Sequence, residues 1–141
     1  MKFDEFTIGQ VFKTKSFKLT KEDIMRFAAE FDPQYMHLDE ERANQGRFQG
    51  IIASGIHTLA ISFKLLVEEG IYGDDIIAGT RMNHLKFMRP VYSGDELHII
   101  GKVIDKKEAK NNTGILTLLL STFNNKEEKV FEGEMSAMIE R

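Results

Sequence analysis

Residues 54–69 read as a helix with almost no polar side. From Ser54 onward, Ile56, Leu59, Ala60, Phe63, Leu66 and Val67 recur at helical spacing as far as Glu69, and Gly70 ends the run. Its polar face is thin, made of Thr58, Ser62, Lys64 and Glu68. A helix this apolar must be buried on most of its circumference, so the rest of the chain has to wrap it. The wrapping material follows directly. Ile76–Met88, Leu97–Ile104 and Ile115–Phe123 read as strands, punctuated by Pro90, by Ser93-Gly94-Asp95 and by Lys110-Asn111-Asn112-Thr113-Gly114. The last strand alternates, with Phe131, Gly133, Met135, Ala137 and Ile139 inward and Glu132, Glu134 and Ser136 outward. Consecutive strands on short turns make an antiparallel sheet with one solvated face. The expected class is α+β, a sheet curled around one buried helix.

Before that helix the chain predicts one more strand, Val11–Leu19, and two shorter helices. Thr20 is a good N-cap, with Glu22 and Asp23 in the first turn, and Ile24, Phe27, Ala28 and Phe31 form the apolar stripe. Pro33 forces the preceding residue out of the α region and stops the helix. A second helix is expected from Asp39 to about Asn44, followed by the glycine-rich segment Gly46–Gly55.

At 141 residues the chain is sized for one domain, 1–141, burying roughly 68% of its unfolded surface. With 19 Lys and Arg against 22 Asp and Glu, it lacks the basic excess that nucleic acid demands. It has no cysteine, so disulfides, thiolate nucleophiles and thiolate metal sites are excluded. No apolar run approaches the roughly 20 residues of a membrane span. The opening MKFDEFTIGQ carries acidic residues where a signal peptide has its apolar core, so the expected location is the cytoplasm.

Polar chemistry must therefore come from carboxylates, hydroxyls and the four histidines. His84 and His98 fall inside strands with no carboxylate at a suggestive spacing and read as structural or surface residues. Asp32 and His37 flank the break Pro33-Gln34-Tyr35-Met36, where the chain leaves the helical path. A carboxylate and an imidazole converging on one water form a general acid/base pair able to add or remove water. A plain alternative is that Asp32 caps a turn and His37 sits beside the next helix cap. Asp32, His37 and Asp39 are also conceivable metal ligands, but no second histidine stands at a ligand-like offset, and no metal is assigned. Farther on, Gly50–Thr58 feeds a glycine loop into the buried helix, where free amides and the helix dipole favour negative charge. Gly55 there either admits a ligand to the backbone or permits close packing, and Ser54 reads as the N-cap.

Three stretches carry a family resemblance. Phe27–Ala43, with Asp32-Pro33-Gln34-Tyr35-Met36-His37-Leu38-Asp39 at its centre, resembles the hydratase motif of MaoC-like dehydratases, which include the R-specific enoyl-CoA hydratases. Phe48–Thr58 is similar to that family's entry into its central helix, and Leu85–Leu97 to its strand–turn–strand. The resemblance implies a hot-dog fold, a catalytic dyad of Asp32 and His37, and a backbone N–H from Gly55 on the thioester oxygen, with Ser54 and Gln34 in the substrate-binding set. It implies reversible hydration of a trans-2-enoyl-CoA to an (R)-3-hydroxyacyl-CoA. Asp32 would deprotonate the water and His37 deliver a proton to the α-carbon, or the reverse. Coenzyme A would enter as part of the substrate, with no separate cofactor and with a homodimer completing the acyl pocket. The R-specific hydratases carry Asn where this chain has Gln34, which bears on substrate more than on fold. Lys86, Arg89, Arg47 and Lys64 are candidate partners of the coenzyme A phosphates and stay unassigned. Acyl-CoA thioesterase chemistry and non-catalytic acyl-CoA binding are the rival expectations, since related folds host both.

Overall fold

A computed structural model describes residues 1–141. After a short 3-10 turn at Phe3–Glu5 come β1 (Val11–Lys13), β2 (Phe17–Lys18), α1 (Lys21–Phe31), α2 (Tyr35–Leu38), α3 (Glu40–Gln45) and α4 (Gly55–Glu68). Then follow β3 (Ile76–Phe87), β4 (Glu96–Ala109), β5 (Thr113–Phe123) and β6 (Lys129–Glu140). All strand pairings are antiparallel, in the order β1-β4-β5-β6-β3, with β2 also on β4. The sheet wraps α4, the α+β architecture expected.

The inward face of β6 is the one the alternation marked. Leu116, Leu118 and Leu120 of β5 and Phe131, Met135, Ala137 and Ile139 of β6 are buried with Ile61, Leu65 and Leu66 of α4 in one core. The buried face of α4 is turned from the one expected: Thr58 and Ser62, counted above as polar, lie inside, while Ile56, Ala60 and Val67 of the apolar stripe are exposed in the single chain. Ser62 Oγ donates to the Thr58 carbonyl at 2.7 Å, so the 2.7 Å contact with Thr122 Oγ1 requires Thr122 to be the donor. One serine thus satisfies a buried hydroxyl of β5 and pins helix to sheet. At its far end α4 stops at Gly70, whose φ of +74° is a left-handed turn that glycine adopts without strain.

Three elements depart from expectation. The single strand Val11–Leu19 is two, because residues 14–16 face only 98 and 99 of β4, one residue too many for a regular ladder. Thr14 fills the bulge: its N–H donates to the Ile99 carbonyl at 3.0 Å, and its hydroxyl accepts the Ile99 N–H at 2.9 Å. The strand expected to end at Ile104 runs on to Ala109. Its charged end hides no apolar side to betray it, yet the ladder continues to a tight hairpin at Asn111 and Asn112, both with φ of +59°. The break after Pro33, expected as loop, contains one helical turn, α2.

β3 is an edge strand, exposed along nearly its whole length, with Ile77, Met82, Leu85 and Phe87 among its solvent-facing apolar side chains. No helix of the chain is long and apolar enough to cross a membrane.

Candidate active site

Asp32 is the C-cap of α1, its N–H bonded to the Ala28 carbonyl at 2.9 Å. Its own carbonyl accepts the Gln34 N–H at 2.8 Å, a three-residue turn that reverses the chain around Pro33. The single turn of α2 then swings His37 back toward Asp32. Their side chains meet with Nε2 3.3 Å from Oδ2, and the imidazole is 6% exposed. The structure brings these two residues together.

The segment entering α4 closes the site from the other side. Ile52 is strapped to α2 twice: its N–H donates to the Met36 carbonyl at 3.1 Å, and its carbonyl accepts His37 Nδ1–H at 2.7 Å. Ala53 N–H donates to the Val91 carbonyl at 2.8 Å. Because a carbonyl can only accept, Nδ1 carries a proton and Nε2 is the nitrogen left to exchange one. Nothing in the sequence marks Ile52 for this task, since its contribution is a backbone oxygen.

Ser54 and Gln34 both turn to Asp32. Ser54 Oγ donates to Oδ2 at 2.6 Å and Gln34 Nε2 to Oδ1 at 2.6 Å. The Ser54 hydroxyl, helped by the Gln34 amide and the nearby imidazole, holds the Asp32 carboxyl below its ordinary range against the opposing effect of partial burial. Ser54 occupies the N-cap position of α4, but its side chain caps nothing. The N–H groups of Gly55, Ile56 and His57 have no acceptor within the protein. Gly55 also has a packing reason to be glycine: a Cβ there would lie 2.9 Å from the ring of Phe87, at the end of β3.

A cavity of about 590 Å³ opens over this group. Asp32, His37 and Gly55 share its wall with the apolar side chains Phe48, Ile56, Phe87 and Val130. Of the four cations considered for phosphate contact, Arg89 lines the cavity and pairs with Glu128 at 3.3 Å; Lys86, Arg47 and Lys64 do not line it. Asp39 is occupied elsewhere, accepting the Arg42 N–H at 3.1 Å as the cap of α3. His84 pairs with Glu134 at 2.6 Å and His98 stacks on Phe123, both away from the cavity. His57, in the first turn of α4, lies parallel to Phe27 at 4.3 Å with Nδ1 buried and unbonded, and burial pushes its pKa down.

Comparison with known proteins gives one consistent picture. The profile of the MaoC like domain matches residues 4–122. The uncharacterized protein YdeM of Bacillus subtilis is 71% identical over 141 residues, all of both chains. The 3-hydroxyacyl-thioester dehydratase Z of Mycobacterium tuberculosis is 30% identical over 97 residues, 67% of this chain and 64% of that one. Among solved structures, the MaoC-like dehydratase of Rhodospirillum rubrum superposes with a TM-score of 0.91 at 33% identity, over 100% of this chain and 97% of that one. The R-hydratase PhaJ1 of Pseudomonas aeruginosa gives 0.72 at 25% identity, over 99% and 86%.

Proposed function

The chain belongs to the MaoC-like domain family, and on that footing we propose that it is an (R)-specific enoyl-CoA hydratase, acting in reverse as a 3-hydroxyacyl-CoA dehydratase. The observation that carries the reading is the approach of Asp32 Oδ2 to His37 Nε2, 3.3 Å apart, on a cavity wall that also bears the open amides of α4. Similarity to a 3-hydroxyacyl-thioester dehydratase and to an R-hydratase supports the reaction class.

In the hydration direction, Asp32 takes a proton from a water whose oxygen bonds to C3 of the enoyl group. The electron pair of the C2–C3 double bond moves toward C2 and the thioester carbonyl, and the amide of Gly55 stabilises the charge that develops on its oxygen. Protonated His37 gives the proton on Nε2 to C2, and the proton on Asp32 then passes to the imidazole. The water has supplied one hydrogen and one hydroxyl, and both side chains return to their starting states. These steps call on no separate cofactor, and coenzyme A enters with the substrate.

A homodimer is part of the same proposal. The open edge of β3, with its apolar side chains, invites pairing with a second copy. Phe87 lies both on that edge and in the cavity wall, so a second chain seated there borders the site.

The test is to mix the purified protein with crotonyl-CoA. The expected result is loss of the enoyl absorbance and formation of (R)-3-hydroxybutyryl-CoA without free thiol. Release of thiol without hydration overturns the reading in favour of a thioesterase, and binding without turnover in favour of a non-catalytic acyl-CoA binder.

A further inference from the structure

We infer that Ser54 and Gln34 are positioning residues that act on the reaction through Asp32, and that Ser54 does so by giving up the cap of α4. The inference rests on the hydratase reading for its kinetic consequences but not for its geometry.

Serine is among the best N-cap residues, because its oxygen ordinarily accepts an N–H from the first helical turn. Elsewhere in this chain the rule is obeyed: Thr20 accepts the Asp23 N–H at 3.1 Å, and Asp39 accepts that of Arg42 at 3.1 Å. Ser54 breaks it. The side chain is 1% exposed, so its hydroxyl has no water as an alternative partner, and its proton is committed to Asp32 Oδ2 at 2.6 Å. Gln34 stands at the corresponding N-cap position of α2, likewise makes no capping bond, and sends its amide to Oδ1 at 2.6 Å. The two oxygens of one carboxylate are thus held by donors from two different helix starts. Both bonds are short, as expected for a charged acceptor.

Two consequences follow. The carboxylate plane is fixed, with Oδ2 toward His37, so the side chain cannot rotate away when water or substrate enters. The hydroxyl that would have capped the second or third amide of α4 is turned aside, so the amide of Ile56 stays open beside that of Gly55 on the same cavity. One side chain therefore serves both halves of the site. Neither residue needs to touch substrate to matter.

The experiment uses the full chain in three forms: wild type, Ser54→Ala and Gln34→Ala. Asp32 is followed by carboxyl carbon NMR titration, and hydration of crotonyl-CoA is followed across pH. Both variants are expected to titrate Asp32 at higher pH than wild type, to move the acidic limb of the rate profile in the same direction, and to lose roughly tenfold to hundredfold in kcat with little change in KM. Gln34 is exposed, so its variant keeps the test alive if Ser54→Ala folds poorly. An unchanged Asp32 titration in a folded variant overturns the inference, as does a rise in KM alone, which would make these residues substrate contacts. If the wild type hydrates no thioester yet Asp32 shifts in both variants, the positioning stands and the hydratase reading falls.

Discussion

Replacing Gly55 by alanine tests whether the start of α4 is held in place by the ring of Phe87. The new Cβ would lie 2.9 Å from Cε1 of that ring and 3.1 Å from both Cδ1 and Cζ. Non-bonded carbons rest at about 3.5–4.0 Å, so ring and helix start must separate by about 0.6 Å or more. Phe87 is 54% exposed and can swing outward, which places the stability cost near the lower end of the overpacking range, about 1 kcal/mol. For a domain of this size that lowers Tm by roughly 3–5 °C. The rate suffers more. Displacing the amide donors by a fraction of an ångström should cost about tenfold to hundredfold in kcat. Enoyl-CoA hydration and thermal melts would be run on Gly55→Ala, Phe87→Ala and the double variant. Phe87→Ala removes the obstruction, so the double variant should recover most of the kcat that Gly55→Ala loses, a strongly non-additive pair. A Gly55→Ala protein with wild-type kcat and Tm, or a double variant as slow as Gly55→Ala, refutes the reasoning.

Other consequences can be checked on the same protein. Burial lowers the pKa of His57 in the folded state, so the unfolded chain takes up the proton first as pH falls. Stability should therefore decline from about pH 6.5 downward through the folded-state value, and His57→Phe should flatten that decline in denaturant melts. Equal slopes for the two proteins would contradict this. Ser62→Ala strands the buried hydroxyl of Thr122 and should cost about 1–3 kcal/mol, whereas Thr122→Val leaves Ser62 bonded to Thr58 and should cost less. Equal costs from the two substitutions would speak against the donor assignment. Lysines at Ile77 and Met82 should block pairing through β3, reducing the solution mass from that of a dimer to the 16.2 kDa of one chain. A wild-type protein that already scatters light as a monomer contradicts the proposed pairing.

Much of this architecture is written in local pattern. The strict alternation of β6 admits one environment, and the structure supplies it, whereas α4 buries only the face carrying Thr58, Ile61, Ser62, Leu65 and Leu66 and leaves Ile56 and Val67 exposed. What escaped the sequence depends on groups without a side-chain signature. The bulge at Thr14 arises from a hydroxyl entering the ladder of β4, and the polar end of β4 is held by backbone bonds alone. The same division holds at the site. Asp32 and His37 announced themselves by residue type around a proline, and Gly55 by its place before an apolar helix. The Ile52 carbonyl that sets the imidazole tautomer carries no such mark. Nor does Ser54: its type and position predict a cap, and only the fold, by bringing the C-terminal end of α1 across the start of α4, gives its hydroxyl a stronger acceptor.

The most direct measurement of the central claim is hydration of crotonyl-CoA by wild type, Asp32→Asn and His37→Ala at equal folded concentration. Each substitution keeps the backbone while removing one member of the pair that meets at 3.3 Å. The account predicts measurable hydration by the wild type and a loss of at least about hundredfold in kcat in either variant, as removal of a general acid or base entails. Wild-type activity in either variant would contradict it.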